Sequence, residues 1–168
     1  MLRFGPAKII LLSPSRLARF NGLILPDNSD STRRVGGVAD KPRVLIVEDD
    51  AMIAWDMSLS LEAAGFQVCG IVSNGAAALE QASHTGPDVV LMDVNLKEGM
   101  DGIETARALR ERQSTTPIIF VTGFGDPETS ARIRSVNPNG YLLKPVMPEE
   151  LEAAIIRALE TGADESDA

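Results

Sequence analysis

From Lys41 onward the chain alternates short apolar runs with longer amphipathic segments. Residues 43–47 are apolar, partly β-branched and short, which predicts a buried strand. Residues 51–64 carry Met52, Ile53, Trp55, Met57, Leu59 and Leu61 as a helical stripe, with Gly65 as its C-terminal stop and Trp55 expected in the core. A second strand is expected at 66–72, ended by Asn74-Gly75, followed by a helix over 76–83 with Leu79 inward. A third strand is expected at 88–92, then a helix over 102–112 with Ile103, Ala106 and Leu109 inward, then a fourth strand at 117–121. Asp126-Pro127 opens another helix, because proline suits the first helical position. Residues 141–143 read as a short fifth strand, and Pro148 opens a last helix in which Leu151, Ile155 and Leu159 recur every four residues. Five strands alternating with five helices predict an α/β fold with a parallel sheet covered on both faces. Right-handed crossovers leave few topologies. The expectation is a doubly wound five-stranded sheet of order 2-1-3-4-5, with strands 1 and 3 side by side and a ligand site at the carboxyl edge.

Before Lys41 this rhythm is missing. Residues 1–40 hold six Lys/Arg against three Asp, a net of +3, so the remainder carries −8 − 3 = −11. Pro6, Pro14, Pro26, the run Asp27-Asn28-Ser29-Asp30-Ser31-Thr32 and Gly36-Gly37 are linker and turn chemistry, and no strand or helix is placed here. The expected organisation is a basic, disordered extension over 1–40, a folded domain over 41–161 and an acidic tail over 162–168. Two other readings of the first segment stay open: a start placed too early, with the protein beginning near Val35 or Val38, and a basic arm that docks on a partner.

Five polar residues sit just past apolar runs: Glu48 and Asp49, Asp93, Thr122, and Lys144. In the expected topology they meet at one sheet edge. Like charges ~4 Å apart repel by about 4 kcal/mol at an effective dielectric of ~20, so clustered acids need a proton or a cation. An all-oxygen set with few protein ligands suits Mg²⁺, and Mn²⁺ would fit similarly. A lysine and a hydroxyl beside it can neutralise and hydrogen-bond phosphoryl oxygens. A carboxylate can itself be the nucleophile, giving an acyl phosphate, and Asp93 on the central strand is the best candidate.

Composition narrows the alternatives. A net charge of −8 argues against nucleic acid as a partner. No apolar run approaches the ~20 residues of a membrane-spanning helix, the short run 9–12 does not make a signal peptide, and the single Cys69 rules out an internal disulfide. A cytoplasmic protein without membrane contact is expected.

Residues 43–160 resemble a response-regulator receiver domain of two-component signalling. The resemblance rests on Leu45-Ile46-Val47-Glu48-Asp49-Asp50, Val89-Val90-Leu91-Met92-Asp93-Val94-Asn95-Leu96, Met100-Asp101-Gly102, Ile119-Phe120-Val121-Thr122-Gly123 and Gly140-Tyr141-Leu142-Leu143-Lys144-Pro145. It implies a flavodoxin-like receiver fold. Asp93 would accept a phosphoryl group from a sensor histidine kinase or a histidine phosphotransfer protein. Asp49 would ligate Mg²⁺ directly, Glu48 through water and Asn95 through its backbone carbonyl. Thr122 and Lys144 would bind the phosphoryl oxygens, Tyr141 would be an aromatic switch, and Lys144-Pro145 would be cis. Two departures stand out: Lys97 occupies a position where family members often have proline, and the stretch 93–101 is one residue longer than the common form. Phe124 sits where side chains modulate phosphoryl lifetime.

Other conspicuous residues have plainer readings. Asp50 and Asp101 are expected as helix caps, His84 as a solvated side chain, and Arg107, Arg110 and Arg112 as an exposed helix face. The leading functional expectation is a stand-alone receiver. It signals to a downstream protein through the helix 4–strand 5–helix 5 face, with no output domain and no catalysis beyond its own phosphorylation and dephosphorylation. A phosphorelay intermediate uses the same residues. An aspartyl-nucleophile phosphohydrolase is the alternative of another class, disfavoured because Asp93 follows the third strand. Leu151, Ile155, Ile156 and Leu159 leave homodimerisation open.

Overall fold

The computed structural model describes residues 17–20, 23–26, 41–112, 114–123 and 125–164, and the chain divides after Ala39. In the first unit, strand β1 (Leu17–Phe20) pairs antiparallel with β2 (Leu23–Pro26). The sequence reading placed no strand here. Asn21-Gly22 lies between these two runs in the sequence, and Asn-Gly between apolar runs is a strong hairpin signal that the proline and charge content obscured. The rest of the expected extension and the tail beyond 164 lie outside the described residues.

The second unit contains β3 (Arg43–Val47), α1 (Ala51–Ala63), β4 (Gln67–Val72), α2 (Gly75–Thr85), β5 (Val89–Asp93) and α3 (Gly102–Glu111). Then come β6 (Ile118–Thr122), α4 (Pro127–Arg134), β7 (Gly140–Leu143) and α5 (Pro148–Asp164). The sheet is parallel in the order β4-β3-β5-β6-β7, which is 2-1-3-4-5 counted within the sheet. Alternation along the strands divides the core. Leu45, Val47, Val90, Met92 and Phe120 face α2 and α3, while Val44, Ile46, Leu91, Ile119 and Val121 face α1 and α5. β3, β5 and β6 are almost wholly buried, which is why their sequences are continuous apolar runs rather than alternating ones.

Local chemistry fixes the element ends. Asp50 caps α1 by accepting from the backbone N–H groups of Met52 (2.9 Å) and Ile53 (3.2 Å). Gly65, at φ 95°, ends that helix. Asp101 and Glu104 form a reciprocal capping box on α3. Gly102 packs so closely on the Asp93 carbonyl that any Cβ would collide with it, which ties the start of α3 to the end of β5.

Two sequence readings are corrected. Trp55 is 63% exposed rather than core, with Met52 and Leu59 exposed beside it, because α1 buries Ala54, Met57, Ser58 and Leu61 instead. Arg110 is not part of an exposed face. Its guanidinium donates to the carbonyls of Ser114 (3.0 Å) and Thr116 (2.8 Å) and to Asn139 Oδ1 (3.3 Å), fastening the α3–β6 connection to the start of β7. Ile156 and Leu159, which left a homodimer contact open, pack partly buried against the α1/α5 side of the core. Among the described residues no helix is long and apolar enough to cross a membrane.

Candidate phosphoryl-acceptor and metal site

The strand register builds the site. Val47 pairs with Met92, so Glu48 and Asp93 follow side by side at the carboxyl edge. Asp93 pairs with Val121, which brings Thr122 alongside. Thr122 pairs with Leu143, and the Lys144 N–H donates to the Thr122 carbonyl at 2.8 Å. Residues up to 96 positions apart thereby converge. Glu48, Asp93 and Thr122 are buried, whereas the Lys144 side chain keeps 18% exposure.

Carboxylate oxygens of Glu48, Asp49 and Asp93 lie within 4.8 Å of one another. Lys144 Nζ donates to Glu48 Oε2 at 2.6 Å and lies 3.1 Å from Asp93 Oδ2. Burial pushes the Glu48 carboxyl above its ordinary pKa, and neighbouring Asp93 adds to this against the opposing pull of Lys144. For Lys144 burial opposes the charge, but Glu48 and Asp93 outweigh it and hold the ammonium above its ordinary pKa. The pair therefore sits as a firmly charged lysine beside a carboxylate strained by desolvation.

Asp49 is placed differently. Its Oδ2 is buried, and the Lys97 ammonium, mostly open to solvent, lies 2.6 Å away as an ion pair. A buried carboxylate oxygen held by one exchangeable ammonium, next to two further carboxylates, suits a hard divalent cation with oxygen preference. The donor set fits Mg²⁺.

The other anticipated residues are accounted for as follows. The Asn95 backbone N–H donates to Asp93 Oδ1 at 3.3 Å, and its side chain is exposed. Tyr141 is 38% exposed on the edge strand β7, with its hydroxyl against Gly125. Lys144-Pro145 is cis. His84 is exposed, its Nδ1 2.9 Å from the Glu80 carbonyl. Phe124 lies outside the described residues. Sequence reasoning noted Lys97 as a departure but missed its contact with Asp49. The signal was a cation four residues past the acceptor candidate.

Comparison with known proteins agrees with this geometry. The response regulator receiver domain family matches residues 44–156. The transcriptional regulatory protein YkoG of Bacillus subtilis is 38% identical over 71% of this chain and 52% of its own length. PdtaR of Mycobacterium tuberculosis is 34% identical over 67% of this chain and 54% of its own. The chain thus spans about half the length of these relatives. Among solved structures, the signal receiver domain of a modulated diguanylate cyclase from Desulfovibrio desulfuricans G20 superposes with a TM-score of 0.70 at 40% identity, covering 75% of this chain and 99% of that one. The chemotaxis protein CheY4 of Vibrio cholerae gives 0.66 at 32% identity, covering 70% and 98%. With a sheet of this order, an acid cluster at its carboxyl edge and a family match over most of the folded unit, the chain belongs to the response regulator receiver family.

Proposed function

We propose that Asp93 is the phosphoacceptor of a metal-dependent phosphorylation switch, charged by a sensor histidine kinase or a histidine phosphotransfer protein. The observation that carries this reading is the placement of Lys144 Nζ against both Asp93 and Glu48 within the three-carboxylate cluster. An Asp93 carboxylate oxygen forms a bond to phosphorus as the phosphorus–nitrogen bond to the donor imidazole breaks, leaving an acyl phosphate. Lys144 then meets one phosphoryl oxygen and the Thr122 hydroxyl another. Glu48, Asp49, Asp93 and the Asn95 carbonyl would hold Mg²⁺ (or Mn²⁺), which supplies positive charge to the phosphoryl oxygens. No turnover beyond the protein's own phosphorylation and dephosphorylation is included in this reading.

The signal leaves through protein contact. Phosphorylation adds nearly two negative charges at Asp93. Thr122 moves toward them, Tyr141 turns inward from its exposed position, and the α4–β7–α5 face changes shape. That face already presents Tyr141, Leu143 and Met147 to solvent, which suits a protein partner. The net charge of −8 disfavours direct contact with nucleic acid or an acidic membrane, and the setting proposed is cytoplasmic.

Incubation with acetyl phosphate and Mg²⁺ tests the reading by intact mass. One phosphoryl adduct is expected in the native protein, none in Asp93→Asn and none without Mg²⁺. Absence of an adduct together with absence of any beryllofluoride-induced change would overturn it.

A further inference from the structure

The two lysines of the site divide the acids between them. Lys144 serves Glu48 and Asp93 from a largely buried position, and Lys97 serves Asp49 from the β5–α3 loop with 76% of its side chain exposed. We propose that Lys97 is a tethered competitor for the divalent cation: its ammonium holds Asp49 in the metal-free protein and must be displaced when the ion binds. This rests on the metal-dependent reading of the site above.

The chemistry of the contact supports exchange rather than a fixed bridge. Asp49 Oδ2 is buried, belongs to the three-carboxylate cluster and is covered by Lys97, so it is the ligand position an incoming ion would take over. Lys97 meets it in a short charge-assisted contact of 2.6 Å, from a flexible four-carbon stem that returns to solvent at little cost. The lysine end of the pair is open to solvent and screened while the carboxylate end is covered, so a divalent ion can outcompete the ammonium, yet each binding event must first break the pair. Lys97 does not reach Asp93 in any ion pair among the described residues. Its location therefore favours control of the ion over contact with a phosphoryl group. Metal affinity becomes a property tuned by a loop residue that need not ligate the ion.

Calorimetric titration of the full chain with Mg²⁺ separates the possibilities, using the native protein, Lys97→Met and Lys97→Arg. Both substitutions are at a solvent-exposed side chain, so folding should survive, and circular dichroism checks that it does. The expected result is tighter binding in Lys97→Met, by about twofold to fivefold as suits an ion pair with one exposed partner, and near-native affinity in Lys97→Arg, which keeps the charge. Unchanged or weaker binding in Lys97→Met, with the native protein binding Mg²⁺, overturns the competitor role and leaves the receiver reading intact. Tightening of equal size in Lys97→Arg also overturns it, because charge would not be the cause. Absence of Mg²⁺ binding in all three proteins overturns the metal-dependent reading itself and this inference with it.

Discussion

The most consequential residue is Glu48, whose carboxylate is buried and pressed by Asp93, with Lys144 only partly relieving it. Its folded pKa stands above the ordinary value of 4.5, so its neutral form suits the fold better than its charged form. A raised pKa gives a contribution to stability that is complete below the unfolded value and is lost as pH rises through the folded value. In EDTA, Glu48→Gln should therefore match the native protein at acid pH and become the more stable of the two as pH rises to about neutrality. Urea unfolding of both proteins at the two pH values checks this. A native protein that gains on the variant with rising pH would show that Lys144 more than offsets burial. Glu48 was legible in the sequence because it follows a wholly apolar run. Its strain was not legible, because it depends on how deeply the β3–β5 edge is covered and on a lysine 96 residues away.

Among the elements, α1 shows where periodicity stops being informative. Apolar residues surround most of this helix, so a stripe through Met52, Trp55 and Leu59 is as good a helical face as one through Ala54, Met57 and Leu61. The sheet selects the second stripe. It leaves Trp55 lining a shallow cleft with Glu48, Asp49 and Ile71, where the sequence reading had put it in the core. Trp55→Ala should change stability by no more than about 0.5 kcal/mol, as at an ordinary surface position. Leu61→Ala, at 1% exposure, should cost about 2–5 kcal/mol through lost burial and a cavity. Urea midpoints of the two variants decide between the faces, and a large loss in Trp55→Ala would restore the core assignment. The strands were easier to read than this helix because burial on both faces makes them uniformly apolar. The Arg110 clamp was unreadable for the opposite reason: its acceptors on Ser114, Thr116 and Asn139 are set by loop geometry that no local pattern encodes.

At the scale of the whole molecule, the sheet joins the acid cluster to the α4–β7–α5 face. β6 carries Thr122 at the site and pairs Phe120 with Tyr141, so the hydroxyl and the aromatic ring lie on adjacent strands, two pairs apart in register. Phe120 is fully buried, but Tyr141 is not. β7 is the edge strand, and the eight-residue α4 buries only Ile133, so the sheet face beyond Phe120 is incompletely covered. The Tyr141 hydroxyl lies against Gly125 on the β6–α4 connection, so a shift of that connection bears directly on the tyrosine. Tyr141 is the only tyrosine in the chain, so biosynthetic fluorotyrosine gives a single ¹⁹F resonance that reports this motion alone. Beryllofluoride with Mg²⁺ should move that resonance in the native protein and in Thr122→Ser, which keeps the hydroxyl. Thr122→Ala, brought to the same saturation, should lose most of the shift. An equal shift in Thr122→Ala would mean that Tyr141 responds without the hydroxyl. No shift in a native protein shown by calorimetry to be saturated would confine the response to the carboxyl edge and leave the α4–β7–α5 face without a mechanical link to Asp93.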